Sequence, residues 1–476
     1  MNKRYHVIVV GSGMGGMTAA RLLSRYGLRI LVVDENSHMG GQLLRKQPHC
    51  RQASRRFEPD RIKHIGMRLV RQLGKESINI LNDAQVLGIY PEHTLLVEKS
   101  RGRVSEYRAD ALILATGARE RQLPFKGWDL PGVISTGAAQ IFMKSSGVLP
   151  GRNTLIAGCG PLMLVLAAEI TVNGGKVNAV LDQNGVAEKL NAFTAGRYIW
   201  PKLLEGAVYL SRLAAARVPL KQRVRVIEAR GSDHLERVVA VRVDADGGII
   251  QGTEQIHVTD TLAVGYGFSP NIELPQQAGC TVSHAIDKGG WHVVVSNTMA
   301  TSVDAVYAVG ETTGIGGAGK SLIEGQLAAW DLLFKLGRVD RKTHERHMRS
   351  LLRKRTQLLR YGCFLNRLCR LQPGCYEGIP DNTMICRCEE ITMGEIRRQL
   401  ANGFDTVSGI KKATRCGMGH CQGRICGPIL SDMIGAFTQR RPEAVGITSA
   451  RAPVKPVPLG ALARMTTGRQ TSQDLD

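Results

Sequence analysis

One short stretch constrains this chain more than any other: Gly11-Ser12-Gly13-Met14-Gly15-Gly16, set between an apolar run, His6 to Val10, and a helical pattern that runs through Leu23. A strand that enters a helix through three spaced glycines has a physical reason for each. Gly11 permits the tight turn, Gly13 lets backbone approach a pyrophosphate, and Gly16 lets helix and strand pack closely. The first amides of the helix have no intrahelical partner and carry the positive end of its dipole, so they suit phosphate oxygens. Ile30 to Val33 reads as the next strand and Asp34 ends it, placing a carboxylate about 20 residues on, where ribose hydroxyls would donate to it. A glycine turn alone is weak evidence. With strand, helix and acid in place, a dinucleotide site outweighs a merely structural turn.

A second, weaker copy begins at Thr154–Ala157 and continues as Gly158-Cys159-Gly160-Pro161-Leu162-Met163, with the next strand at Val177–Leu181 ending in Asp182. Met163 stands where the third glycine would be and should widen the helix–strand spacing. Two readings stand: a working NAD(P)H site, and a dinucleotide-type domain that no longer binds nicotinamide. Further buried strands are expected at Ala111–Leu114, closing on Thr116-Gly117, and at Ala305–Val309, closing on Gly310-Glu311 before a helix from about Ser321 to Phe334. The second unit therefore looks inserted between two halves of the first.

The cysteines carry the other strong signal. Cys386-Arg-Cys388 opens one segment and Cys416-Gly-Met-Gly-His-Cys421 closes it, with Cys426 a few residues on as an alternative ligand. Four thiolates on two loops can enclose a [2Fe-2S] cluster. Gly417 and Gly419 would turn amides toward sulfur, and Arg387, Lys411, Lys412 and Arg415 would offset the anionic charge. Zinc suits four thiolates too, although Cys-x-x-Cys spacing prevails there. The stretch between the pairs reads as a helix from Thr392, a plausible N-cap, to Leu400. Cys50, Cys159 and Cys280 stand alone and read as buried apolar residues; Cys363, Cys369 and Cys375 are loosely spaced. No cysteine pair lies near Gln42 or between Arg121 and Gly265, so a redox-active dithiol is not expected in those stretches.

Composition sets the frame. The 476 residues suit two or three domains, and 43% hydrophobic residues can supply their cores. The net charge of +22 is concentrated between Arg338 and Arg370, a helical pattern with an apolar stripe of Met348, Leu351, Leu352, Leu358 and Leu359. That stretch reads either as a solvated basic face or as a docking helix for a partner or an anionic membrane surface. With only 5% aromatics overall, and only Tyr361 and Phe364 within the basic stretch, nucleic-acid binding is not expected. The first apolar run is too short for a secretory signal and no run reaches membrane-spanning length. Eleven cysteines without a signal then favour a cytoplasmic location, with thiols as ligands rather than disulfides. The tail from Thr438 is rich in Pro, Arg and Ser and is expected either to be disordered or to wrap a neighbouring surface.

Gly40-Gly41-Gln42, Ala115-Thr116-Gly117 and Ala308-Val309-Gly310-Glu311, taken with the first turn, resemble the two-dinucleotide-domain flavoproteins that include glutathione and thioredoxin reductases. The resemblance implies FAD rather than NAD in the first turn, held by Gly11, Gly13, Gly16, Asp34, Gln42, Thr116, Gly117, Gly310 and Glu311. Gly310 and Glu311 would meet its ribityl-phosphate part. The following helix would aim its positive end at the flavin pyrimidine. The bland alternative for Glu311 is a helix-capping carboxylate. The cysteine segment resembles the bacterioferritin-associated-ferredoxin-like (BFD-like) domain, with a wider second pair, and that likeness implies a [2Fe-2S] cluster on Cys386, Cys388, Cys416 and Cys421.

The whole order, together with Leu123–Val133, Thr136–Gln140 and the Pro456-Val-Pro-Leu-Gly-Ala-Leu-Ala stretch, resembles the alpha (or B) subunit of opine oxidases, hydrogen cyanide synthase and proline or hydroxyproline dehydrogenases. It implies an α/β fold with two Rossmann-like domains of glutathione-reductase type plus a small α-rich BFD-like [2Fe-2S] domain. The expected division is 1–120 with 265–337 for FAD, 121–264 for the second Rossmann-like domain, 338–380 for basic helices, 381–437 for the cluster and 438–476 for the tail. It also implies an electron-transfer subunit of an amine or amino-acid dehydrogenase. The substrate would be oxidised on a second FAD-containing chain of amino-acid-oxidase type, with a small ferredoxin-like subunit often joining and a quinone or other acceptor taking the electrons at, or peripheral to, the inner membrane. Arg119, Glu120 and Arg121 lie near the expected flavin but read equally well as surface ion pairs. A self-contained NAD(P)H:acceptor oxidoreductase is the main alternative, and a non-catalytic iron–sulfur sensor or assembly scaffold the third.

Overall fold

The structure is a computed structural model and describes residues 4–45, 61–74, 78–99, 102–185 and 199–465; Cys50 and the last part of the tail lie outside them. The first glycine-turn unit is a βαβ unit. Strand β1 (Arg4–Val10) enters α1 (Met14–Ser24) and returns as β2 (Ile30–Val33), parallel to β1 with Val7 opposite Ile30. All four residues of β2 are buried, as expected for a parallel strand covered on both faces. Helix α2 (Arg61–Leu73) leads to β3 (Asn79–Leu81), which pairs with β2.

Next comes an antiparallel meander, β4 (Ala84–Tyr90), β5 (Thr94–Lys99) and β6 (Arg103–Leu114). The twelve residues of β6 serve two purposes. The amino-terminal half pairs with β5, and the other half runs parallel to β1, bringing Leu114 beside Val10.

Strand β7 (Ala118–Glu120) leads out of this sheet. The second sheet is fully parallel: β8 (Val133–Ser135), β9 (Asn153–Gly158), β10 (Lys176–Asp182), β11 (Leu220–Gln222) and β15 (Thr261–Gly265), in the order β11-β10-β9-β15-β8. The helices α3 (Thr136–Ile141), α4 (Leu162–Val172) and α5 (Ile199–Ala215) belong to this domain. An antiparallel sheet of β12 (Val224–Arg230), β13 (Arg237–Arg242) and β14 (Gln255–Val258) is inserted before β15. The chain then returns through β16 (Phe268–Pro270), α6 (Glu273–Gln277), and the hairpin β17 (Val282–Ala285) and β18 (Gly290–Val293). It reaches β19 (Val306–Ala308), parallel to the end of β6.

Helix α7 (Gly317–Lys335) lies against α1, and α8 (Arg341–Leu368) is the basic helix, begun by Asp340, whose side chain accepts from the Thr343 amide. The apolar stripe of α8 is spent inside the chain: Met348, Leu351 and Leu358 are buried in the same core as α1 and α7. Arg346, Arg349, Arg353, Lys354 and Arg360 are exposed. A short helix α9 (Gly374–Glu377) precedes the cysteine segment of β20 (Met384–Cys386), β21 (Ile391–Thr392), α10 (Met393–Ala401), α11 (Val407–Thr414) and α12 (Cys426–Thr438). Thr392 caps α10 as expected, and Glu395 completes a reciprocal capping box.

The cysteine segment has no separate core. Ile385, Cys386, Met393, Ile396, Cys416, Cys426 and Ile429 share one buried cluster with Trp128, Leu155, Val226 and Leu262 of the second domain. Burying each large apolar side chain is worth about 1.5–3 kcal/mol, so this joint cluster fixes the two parts together. The Trp128 indole N–H donates to the Met384 carbonyl at 2.7 Å, and the Arg387 guanidinium lies 5.3 Å over the same ring. The described tail wraps back over the first domain. The Val454 amide donates to the Leu87 carbonyl at 2.7 Å, Val454 enters the core of the meander, and Ala461 packs with Leu87 and Val104.

Candidate functional site

At the first turn, two of the three glycines are required by backbone contacts. A Cβ on Gly11, whose φ is +99°, would sit 2.3 Å from the Ala115 carbonyl oxygen, and one on Gly16 would sit 1.9 Å from the Gly11 carbonyl oxygen. Gly13 differs: among the described residues a Cβ there would meet nothing within 4 Å, and as the N-cap of α1 it has no side chain with which to cap it. The space in front of Gly13 lies at the amino terminus of α1, whose first amides have no intrahelical partner, an arrangement that suits a phosphate. Asp34 lies beside this turn. One carboxylate oxygen accepts from the Ser12 amide and hydroxyl at 2.6 Å, and the other from the Asn36 amide and side chain at 2.8 Å. Gly40 donates to the Ser12 carbonyl, a Cβ on Gly41 would lie 3.1 Å from Gly13 Cα, and Gln42 is exposed beside them.

The two other expected flavin turns meet at one residue that sequence reasoning missed, Asn271. Its backbone carbonyl accepts from the hydroxyls of Thr116 and Thr312, both at 2.8 Å, and its side-chain amide donates to the Thr116 carbonyl at 2.8 Å. Its backbone amide donates to the Gly117 carbonyl at 2.9 Å. Gly117 has φ +74° and open space where a Cβ would stand. Gly310 donates to Glu324 at 2.9 Å and accepts from Lys320 at 2.8 Å.

Glu311 adopts the helix-capping arrangement: its carboxylate accepts from the Gly317 amide at 2.8 Å and, more loosely, from Gly316. Burial pushes this carboxyl above its ordinary range, while Lys320 and the two amides pull the other way. Beneath it lies a buried ionic group. Lys320, fully buried, donates to Gly310, Thr313 and Gly314 and pairs with Glu324 at 3.0 Å, and Glu324 also holds Arg355 of α8 at 2.9 Å. Removing one partner from such a group would strand a buried charge. The i, i+4 spacing of Lys320 and Glu324 was a visible signal for it.

The second turn is built alike but filled. A Cβ on Gly158 would fall 1.9 Å from the Gly265 carbonyl oxygen, as at Gly11, but one on Gly160 would fall 2.5 Å from Cys369 Sγ. The carboxyl end of α8 occupies this crevice. The Asn184 side chain donates to the Leu368 carbonyl, and Arg121 donates to the carbonyls of Cys369 and, at 3.1 Å, Tyr266. Cys369 Sγ lies 3.8 Å from the Cys159 carbonyl oxygen. Carbonyls at a helix end carry the partial negative charge that a pyrophosphate would bring, and α8 presents them here to donors on the second domain. Met163 is buried in the helix-facing core where a third glycine would stand.

Five cysteines converge in the last segment. The sulfurs of Cys386, Cys416 and Cys426 lie within 4.8 Å of one another, all buried. The Gly417 amide points at Cys386 Sγ at 3.4 Å. The Cys416 and Cys426 thiols, with that amide, hold the Cys386 thiol down to about 2, and donating to it raises Cys416 and Cys426. Cys388 and Cys421, half-exposed, form a second contact beside this trio, and burial raises the Cys388 thiol. Gly419 has to be glycine, since a Cβ there would lie 2.3 Å from Cys388 Cβ. Cys426, the alternative ligand of the sequence reading, thus joins the buried trio. A buried set of thiols with an inward amide fits a thiolate-held metal centre.

Arg119, Glu120 and Arg121 are not surface pairs. Glu120 caps α3 by accepting from Thr136 and the Gly137 amide, and Arg121 is the crevice donor just described. Arg119 pairs with Glu273 and donates to Asn271 and to the Arg424 carbonyl.

The family pattern "Pyridine nucleotide-disulphide oxidoreductase" matches residues 5–330. The chain belongs to that family. Its members are oxidoreductases, and the two-turn architecture above is theirs. A second pattern, "Sarcosine oxidase A3 domain", matches residues 381–465, which spans the five cysteines and the described tail. An opine oxidase subunit of Rhizobium meliloti is 31% identical over 475 residues, covering 97% of this chain and 88% of that one. Hydrogen cyanide synthase subunit HcnB of Pseudomonas protegens is 30% identical, covering 95% and 96%. The alpha subunit of a Corynebacterium sarcosine oxidase is 26% identical, and the match spans 45% of that longer protein. Among solved structures, L-proline dehydrogenase from P. horikoshii superposes with a TM-score of 0.68 at 20% identity, over 97% of this chain and 80% of that one, which shows a shared fold. Among the described residues, no helix of this family member is long and apolar enough to cross a membrane.

Proposed function

We propose that this chain is the FAD- and [2Fe-2S]-containing electron-transfer subunit of a heteromeric amine or amino-acid dehydrogenase, of opine, glycine, proline or hydroxyproline type. The observation that carries the reading is the pairing, in one chain, of an open first cradle at Gly13 with five converging cysteines. The names of the relatives, each a subunit of an oxidase or synthase, supply the substrate class and the expectation of partners. In the complex, FAD would supply two-electron chemistry and the cluster one-electron chemistry.

In this reading Gly11, Gly13 and Gly16 bring backbone to the FAD pyrophosphate, Asp34 receives the ribose, and Gln42, Thr116, Gly117, Gly310 and Glu311 line the rest. Four of Cys386, Cys388, Cys416, Cys421 and Cys426 hold the irons, the buried trio supplying three. A second FAD-containing chain of amino-acid-oxidase type would take hydride from the substrate N–CH group, and a small ferredoxin-like subunit would be able to join. We place the complex in the cytoplasm, with the exposed basic face of α8 available to an anionic surface near a quinone acceptor. The filled second crevice argues against the self-contained NAD(P)H:acceptor oxidoreductase, which needs that crevice open.

The test is cofactor analysis of the complex purified with its partner subunits. FAD and two irons per chain are expected, with dye-linked oxidation of a secondary amine or imino acid. Single Cys→Ser exchanges at the five positions should remove the cluster at four and spare it at one. A colourless chain holding zinc, or a fully active chain without partners, would defeat the proposal.

A further inference from the structure

We infer that Asn271 and Arg119 are positioning residues that lock the Thr116-Gly117 turn to the loop bearing Cys421 and Cys426, so that the chain itself fixes the geometry between the two redox sites. This rests on the reading above.

The bonds form an unbroken path. Asn271 is tied to Thr116, Gly117 and Thr312, and its side-chain oxygen accepts from Arg119 Nε at 2.7 Å. Arg119 Nη1 donates to the Arg424 carbonyl at 3.2 Å, and Arg424 Nη1 donates to the Cys421 carbonyl at 3.0 Å. The third arm of the Arg119 guanidinium pairs with Glu273 at the start of α6. Only 21% of the Arg119 side chain is exposed, so each arm has replaced a water contact with a protein one.

Strand pairing explains why Arg119 faces this way. β7 and β16 are antiparallel, with Ser269 opposite Arg119 and Phe268 opposite Glu120. Neighbouring residues of a strand point to opposite faces. Glu120 therefore turns to the second domain at Thr136, and Arg119 turns to the cysteine loop. A planar fork with fixed donors can satisfy three acceptors on three elements at once; a lysine, as a single mobile point charge, cannot hold that geometry. A plain interdomain brace would need none of the bonds to the flavin turn. Here the same guanidinium contacts Asn271, which holds both flavin turns, and the backbone between two candidate cluster ligands.

The experiment uses the full complex carrying Arg119→Gln, with Arg119→Lys and Asn271→Ala as milder variants. Five quantities are measured: FAD content, iron content, the electron paramagnetic resonance spectrum of the reduced cluster, the cluster's midpoint potential, and the rate of single-electron transfer from photoreduced flavin to oxidised cluster. We expect normal content, an altered spectrum, and a transfer rate about tenfold lower or more, since small misplacements of reacting groups have large kinetic effects. Arg119→Lys should likewise keep both cofactors but not recover the rate. Normal spectrum and rate in Arg119→Gln and Asn271→Ala, with both cofactors present, would overturn the inference. A wild-type complex lacking flavin or cluster would instead remove the functional reading beneath it.

Discussion

The two glycine turns are the same construction with opposite outcomes. In each, the first glycine is forced by a carbonyl oxygen about where a Cβ would stand, Ala115 for Gly11 and Gly265 for Gly158. They part at the next glycine. Among the described residues nothing faces Gly13, whereas Gly160 faces Cys369 at the end of α8. The glycine pattern therefore specifies the turn and says nothing of whether the cradle is free. A segment some 200 residues downstream in sequence decides that.

The sharpest way to break this comparison is within the first turn. Gly16→Ala drives a methyl into the Gly11 carbonyl, and overpacking of this kind against backbone costs about 3 kcal/mol or more. The variant should unfold early on heating and carry no flavin. Gly13→Ala should keep the wild-type melting temperature, because among the described residues nothing lies within 4 Å of the new methyl. Its flavin affinity should fall by about tenfold or more, an equilibrium effect of about 1.4 kcal/mol, read by titrating the apoprotein with FAD. Equal flavin retention in both variants would mean that the open cradle is not the phosphate site.

At the second turn the expectation is reversed. Gly160→Ala, at φ +91° and against Cys369 Sγ, should lower stability by about 1–3 kcal/mol through crowding inside the chain. It should leave nucleotide binding as it is in the wild type, where NADH and NADPH should not bleach the flavin in stopped flow. Rapid bleaching of the wild type would show that α8 yields the crevice to nucleotide.

The smallest effect belongs to Asn184→Ala. Losing its bond to the Leu368 carbonyl should cost about 1 kcal/mol, seen as a small shift in denaturant midpoint, with Cys369 becoming more reactive toward a maleimide. Unchanged Cys369 reactivity would mean that Arg121 alone seats the helix end.

Local patterns that obey a fixed period or a backbone requirement were legible in the chain alone. They include the strand–turn–helix units at Gly11 and Gly158, the buried strand ends at Leu114 and Ala308, the Thr392 cap and the basic helix. Each rests on neighbours within a few residues, where spacing dictates contact. The strands β4 and β5 and the inserted sheet β12–β14 were not read from the sequence, because short antiparallel strands depend on partners for their stability. What only tertiary structure decided is which long-range neighbours arrive. Cys426 enters the thiol trio, the stripe of α8 turns inward, Cys369 fills the second cradle, and Asn271 with Arg119 joins the Thr116-Gly117 turn to the cysteine loop. Sequence names the residues able to do chemistry. Their company is set by packing between segments far apart in the chain, which no local spacing encodes.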